Sequence, residues 1–181
     1  MVKKWTKIES KQLADYRIFS VRQDTSQSPR TGQQHNFFVL DSPNWVNIIA
    51  LTPEQNVVLV HQFRHGTESL CLEIPGGMVD KGEEPLVAAV RELREETGYE
   101  AEEWHHIGMS EPNPAFLNNR CDTFLALNAC RVSETHFDSS EDIAVEEVPI
   151  ANIPHMIQSG QISHAIIIAA FYHYERYISG T

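Results

Sequence analysis

The sequence predicts a mixed α/β protein, and three observations carry that prediction. Up to residue 74, short runs rich in Val, Ile, Phe and Trp alternate with clusters of Pro, Gly, Asn and Ser, the pattern of strands and turns. From Pro85 to Gly98 the apolar period becomes helical. Beyond residue 100 strand-like runs return, and helical segments close the chain.

In chain order, strands are predicted over 5–9, 16–22, 36–41, 46–52 and 57–64, with turn signals at 26–32, 41–44 and 53–56. The early strands suit a small β-unit of their own, which divides the chain into 1–42 and 43–181. A short strand over 70–74 runs into Pro75-Gly76-Gly77, a run that turns the chain or leaves room for a ligand. Pro85 begins a helix where its missing N–H costs nothing, and Gly98 ends it as a left-handed cap. At 100° per residue Leu86, Val90, Leu93 and Thr97 share a face, predicted to pack inward. Strands follow over 104–110, 121–128 and 143–148, then a short helix over 150–158 and a longer one over 163–178.

The composition narrows the function. In 181 residues, 14 Lys and Arg face 25 Asp and Glu, a net charge of −11. A general nucleic-acid or anionic-membrane binder needs a basic footprint instead, so neither partner is expected. Cys71, Cys121 and Cys130 form no C-x-x-C pair, which reads as reduced thiols in a cytoplasmic protein. The first ten residues lack the apolar stretch of a secretory signal. The apolar run 165–172 is far short of the roughly 20 residues that span a bilayer. No phosphate-binding P-loop, dinucleotide fingerprint or nucleophile elbow occurs, and His105-His106 lacks zinc-site spacing.

The chemistry concentrates on the predicted 85–98 helix. Glu92, Glu95 and Glu96 stand at i, i+3 and i+4 and share a face, roughly opposite Leu86, Val90 and Leu93. Ala88 and Ala89 flank that face, and Glu83 comes from the preceding loop. Two carboxylates about 4 Å apart repel by roughly 4 kcal/mol at an effective dielectric near 20. Either the face is solvated, with Arg91 and Arg94 as partners, or it holds a hard cation such as Mg²⁺ or Mn²⁺. Such ions neutralise a pyrophosphate and activate water.

The run Gly77-Met-Val-Asp-Lys-Gly-Glu83-Glu-Pro-Leu-Val-Ala-Ala-Val-Arg91-Glu92-Leu93-Arg-Glu95-Glu96-Thr-Gly98-Tyr99 resembles the Nudix box, G-x5-E-x7-R-E-U-x-E-E-x-G-U, with U a bulky apolar residue. Every fixed position is filled. Tyr99 stands where an aliphatic residue is commoner. The resemblance implies a Nudix α/β/α sandwich with a mixed β-sheet, preceded by a small N-terminal antiparallel β-unit. It implies a hydrolase of nucleoside diphosphates linked to another moiety. Carried over, Glu92, Glu95 and Glu96 supply carboxylate ligands to Mg²⁺ or Mn²⁺, and the Gly76 carbonyl adds one. Glu83 and Arg91 pair to hold the loop against the helix, and both join Glu95 in the catalytic set.

Other residues resemble the branch acting on ADP-ribose and nucleoside diphosphate sugars. Pro114 lies in a loop beyond the box, as in that branch. His61-Gln62-Phe63-Arg64-His65 precedes Leu72-Glu73-Ile74-Pro75-Gly76-Gly77, and Arg64 is expected at the diphosphate or terminal ribose, with Glu73 in the same substrate-binding set. The branch implies an N-terminal unit exchanged across a homodimer, with an aromatic stacked on the base; Trp5, Tyr16, Phe19 and Trp45 are candidates. Glu141 best matches the general base, with Asp138, Asp142, Glu146 and Glu147 as competitors. The products would be a nucleoside monophosphate and a sugar phosphate. Two alternatives are another substrate of the family (a dinucleoside polyphosphate, NADH or a damaged nucleotide) and a nucleotide-sugar sensor without turnover.

Overall fold

The computed structural model describes residues 1–135 and 142–180. They form two compact units, Met1–Pro43 with Glu111–Asn119, and Asn44–Ser110 with the chain from Arg120 onward.

The first unit is an antiparallel sheet of β1 (Thr6–Asp15), β2 (Ser20–Gln27) and β3 (Gln34–Asp41), in that order. Here β1 and β2 extend well beyond the predicted 5–9 and 16–22. Stretches such as Gln23-Asp24-Thr25-Ser26 are too polar to announce a strand, and cross-strand pairing makes them one. Tyr16 to Phe19, predicted as strand, instead form the turn, closed by Tyr16 N–H donating to Phe19 O at 2.9 Å. Buried Asp24 accepts from Ser10 Oγ at 2.6 Å, Lys7 Nζ at 2.9 Å and Arg22 Nε at 3.1 Å. Burial pushes its carboxyl up, but these three donors outweigh burial and hold it at about 2. The segment Glu111–Asn119 is tied to β3, where Leu40 N–H donates to Phe116 O at 2.8 Å.

In the second unit the order is β4 (Trp45–Leu51), β5 (Asn56–Arg64), β6 (Ser69–Glu73), β7 (Gly76–Met78), α1 (Pro85–Thr97), β8 (Tyr99–Glu100), β9 (Glu103–Ser110), β10 (Cys121–Leu127), β11 (Cys130–Arg131) and β12 (Ile143–Pro149). A single 3-10 turn, Ile150–Asn152, leads to α2 (Ile153–Gln158) and α3 (Ala165–Ile178). The main sheet runs β12-β5-β4-β10-β9, with β6 added to β5 and β7 to β4. Among the described residues of this sheet only β4 and β10 pair in parallel, which makes it a mixed sheet.

Strand alternation divides the core between the two faces of the sheet. Ile48, Ala50, Val58, Phe124 and Ala126 pack with Ala88, Ala89 and Leu93 of α1. Ile49, Leu51, Val57, Leu59 and Leu125 pack with Ile153 of α2 and with Ile167, Ala170, Phe171 and Tyr174 of α3. Among the described residues no helix is long and apolar enough to cross a membrane.

Helix α1 starts at Pro85 and stops at Gly98, whose φ of 75° is left-handed and whose N–H donates to Arg94 O. Its buried face differs from the predicted one. Leu86 and Val90 are 43% and 41% exposed, whereas Ala88, Ala89, Leu93, Glu96 and Thr97 are buried. The two alanines let the helix backbone lie close to the sheet. That rotation carries Glu96 inward along with Leu93.

Candidate active site

Local geometry explains why the chain after Pro75 forms strand β7 (Gly76–Met78) rather than only a turn. Gly76 and Gly77 of β7 pair with Asn47 and Val46 of β4. A Cβ on Gly76 would lie inside van der Waals contact of the Val46 carbonyl, and one on Gly77 would collide with the Glu92 carboxylate. Glycine is needed here for close approach. The glycines let the sheet edge touch the carboxylate face of α1. Gly76→Ala is expected to cost about 3 kcal/mol, since the clash is with backbone, and to lower Tm by roughly 6–12 °C in a chain of this size. A thermal scan checks this; an unchanged Tm would mean that the β7–β4 ladder yields easily.

Four glutamates gather around this contact. Glu96, 5% exposed, accepts from Gly76 N–H at 3.0 Å. The Arg91 guanidinium spans the others. It donates from Nε and Nη2 to the two oxygens of Glu83, both at 3.1 Å, and from Nη1 to Glu92 at 2.8 Å and Glu95 at 3.1 Å. A further bond reaches Met78 O at 3.1 Å. The bond from Arg91 holds Glu83 below its ordinary value despite desolvation, with the Asp80 N–H adding to it. Arg94, the other candidate partner of the acidic face, pairs instead with Glu100 at 3.0 Å.

Arg64, at the end of β5, makes a two-pronged bond to Glu73 of β6, Nε to Oε1 and Nη2 to Oε2, each 2.9 Å. Glu73 is 2% exposed. His164 Nδ1, at the start of α3, lies 3.0 Å from the same Oε2. Burial pushes the Glu73 carboxyl up, but the bonds from Arg64, with the His164 imidazole alongside, outweigh it and hold it at about 2. Glu73 stands three residues before Gly76, whose N–H binds Glu96, so β6 and β7 carry the Arg64 clamp and the carboxylate contact in succession. A carboxylate whose folded value lies below its unfolded 4.5 stabilises the fold above pH 4.5. That stabilisation is lost as pH falls from 4.5 toward 2. Glu73→Gln should therefore cost about 3 kcal/mol at pH 7 and much less near pH 2. Thermal scans across pH measure it; a pH-independent loss would assign the cost to packing.

Of the predicted site residues, the second unit brings together Gly76, Glu83, Arg91, Glu92, Glu95 and Glu96, and it pairs Arg64 with Glu73 on the strand leading to Gly76. Trp45 opens β4 and pairs with Met78. Tyr16, Phe19 and Pro114 belong to the first unit, where the Tyr16 and Phe19 rings lie 5.3 Å apart. Trp5 is also there, edge-on to Phe37 at 5.4 Å. Glu141 and Asp138 lie outside the described residues. Of the competitors, Asp142 is exposed, Glu146 binds His61 at 2.7 Å, and Glu147 accepts from Tyr99 at 2.6 Å. His164 was not foreseen. Its only sequence signal is a polar residue just ahead of the apolar run 165–172.

The donor set is all oxygen, and Gly77 lacks the Cβ that would block Glu92, so the residues suit a hard divalent cation. Among the described residues, no three His, Cys, Asp or Glu side chains already converge as a ligand set. Arg91 holds Glu92 and Glu95, and Gly76 N–H holds Glu96.

A mixed sheet between helices, with a glycine-supported glutamate helix against its edge, defines the class of this protein. The NUDIX domain profile matches residues 42–171, and the chain belongs to the Nudix hydrolase family. It is 34% identical over 128 residues to an ADP-ribose pyrophosphatase of Bacillus subtilis (strain 168), covering 70% of this chain and 69% of that one. It is 32% identical over 146 residues to a methanol dehydrogenase activator of Bacillus methanolicus, covering 77% and 78%. A crystal structure of an ADP compounds hydrolase superposes with a TM-score of 0.87 at 21% identity, covering 99% of this chain and 97% of that one.

Proposed function

We propose that this Nudix hydrolase cleaves the pyrophosphate bond of ADP-ribose or a nucleoside diphosphate sugar, giving a nucleoside monophosphate and a sugar phosphate. One observation carries the reading. Arg64 is bound to Glu73, three residues before Gly76, whose N–H is held by Glu96 of an oxygen-only carboxylate cluster suited to a divalent cation. A diphosphate needs both kinds of charge beside it. The similarity to an ADP-ribose pyrophosphatase supports the same substrate class.

Glu92, Glu95, Glu96 and the Gly76 carbonyl would hold Mg²⁺ or Mn²⁺, which supplies charge neutralisation at the diphosphate when bound. Arg64 binds a phosphate or ribose oxygen through the Nη1 that Glu73 leaves unused. Glu83 and Arg91 keep the loop ahead of α1 fixed, so the carboxylates on α1 stay oriented. Glu141 accepts the proton of the attacking water. We assign base stacking to Tyr16, Phe19 or Trp45 and a place in the substrate pocket to Pro114.

The same reading makes the chain a homodimer through a β-unit spanning 1–42, with 43–181 as the hydrolase domain. Exposed Trp5, Ile8, Leu13, Ile18, Phe37 and Phe38 in that β-unit support it. Sedimentation should give twice the chain mass at micromolar protein; monomer alone overturns the dimer. Three free cysteines agree with action in the cytoplasm.

A second reading within the family is another nucleotide substrate, such as NADH or a dinucleoside polyphosphate. Product chromatography with Mg²⁺ decides between them, using ADP-ribose, UDP-glucose, GDP-mannose, NADH and a diadenosine polyphosphate. Nucleoside monophosphate from the first three, absent in Glu96→Gln, supports the proposal. Cleavage of only the last two keeps the chemistry and replaces the substrate. Binding without turnover of any of them would identify a sensor.

A further inference from the structure

We propose that His164 is a positioning residue for Arg64, acting through Glu73. This rests on Arg64 being the guanidinium that receives the diphosphate. Arg64 is half-exposed at the end of a strand, and a free arginine there would sample many rotamers at a cost of up to about 2 kcal/mol on binding. The structure removes that freedom by clamping Nε and Nη2 to Glu73.

The clamp is only as good as the orientation of Glu73. Its buried carboxylate has Arg64 on one side; by itself the pair could rotate about the Glu73 side-chain torsions. His164 supplies the second support. Its Nδ1 is buried and stands 3.0 Å from Oε2, off the line of an ideal hydrogen bond but within ion-pair range. A carboxylate oxygen can only accept, so the geometry assigns the Nδ1–H tautomer to this contact. The imidazole is itself held by its backbone. His164 precedes α3, its carbonyl accepts from Ile167 and Ile168 N–H at 3.1 Å, and Ile166 O accepts from Asn47 Nδ2 at 3.3 Å. Asn47 in turn pairs with Gly76. The start of α3 is thus fixed to β4, the strand that pairs with β7 beside the carboxylate helix, and His164 relays that fixed position through Glu73 to Arg64.

The test uses the full chain labelled with nitrogen-15, with the Arg64 Nε–H resonance assigned by its loss in Arg64→Lys. In His164→Leu, exchange of that hydrogen should quicken about fivefold to tenfold, the scale of one lost hydrogen-bonding partner. ADP-ribose affinity, titrated in EDTA without turnover, should fall by a similar factor, about fivefold to tenfold. With Mg²⁺ present, KM should rise while kcat changes far less. His164→Asn, which keeps an N–H donor, should recover most of both losses. In the Arg64→Lys background, His164→Leu should cost no further affinity. Unchanged Arg64 exchange in a folded His164→Leu overturns the proposal, as does an equal affinity loss in both backgrounds. Should His164→Leu not fold, His164→Ala carries the same comparison. A wild type that binds no ADP-ribose and cleaves no sugar nucleotide removes the substrate reading, and the exchange comparison still decides the role of His164.

Discussion

Glu96→Gln is expected to lower turnover by about 10²–10³-fold, the scale for removing one group that stabilises developing charge, with the fold intact. The amide is nearly isosteric, and its oxygen still accepts from Gly76 N–H, the bond that ties α1 to β7. Removing a charge from a group only 5% exposed also relieves desolvation, so Tm should move by no more than a few degrees. The variant should bind Mn²⁺ at least tenfold more weakly, which paramagnetic resonance of the free ion reads without any substrate. Loss of turnover with unchanged Mn²⁺ affinity would mean that Glu96 acts on the reaction by another route. Full turnover would move the ligand role to Glu92 and Glu95.

Arg91→Met is expected to cost stability through electrostatics rather than core packing. The side chain neutralises Glu83, Glu92 and Glu95 together and holds the Met78 carbonyl. Breaking a buried pair costs roughly 3–5 kcal/mol. Arg91 is 30% exposed, so water screens part of this, and about 2 kcal/mol is expected. Tm should fall by roughly 4–8 °C at pH 7. The pH dependence follows from the direction at Glu83. The Arg91 bond lowers its folded value below the unfolded 4.5, so the pair stabilises above pH 4.5 and ceases to do so as pH falls through the folded value. In the variant the crowded carboxylates favour protonation instead, and acid relieves their repulsion. The gap in Tm between wild type and variant should therefore be widest near pH 7 and narrow below about pH 4.5. A gap that stays constant with pH would assign the loss to packing of the long side chain.

The two exchanges probe parts of the site that became visible in different ways. Glutamates at i, i+3 and i+4 share a helix side whatever the rest of the chain does, so their clustering could be read directly. The limits of α1 were equally local, because Pro85 and Gly98 act on their own backbone. The inward face of α1 was not local. Hydrophobicity placed Leu86 and Val90 inside, yet the close approach of Ala88 and Ala89 to the sheet turned them outward. Strand β7 was equally hidden, since Gly76-Gly77-Met78 has no strand preference and exists through pairing with β4.

The amino-acid sequence by itself determined the α/β class, the strand–helix order and the residues of the glutamate helix, because spacing, capping and strand patterning act over a few neighbours. Only the tertiary structure decided which carboxylate is buried, that Arg91 serves three glutamates at once, and that His164 meets Glu73 from 91 positions away (164 − 73). Those outcomes depend on how closely a helix approaches a sheet and on which distant segment arrives beside it, and no local spacing encodes either.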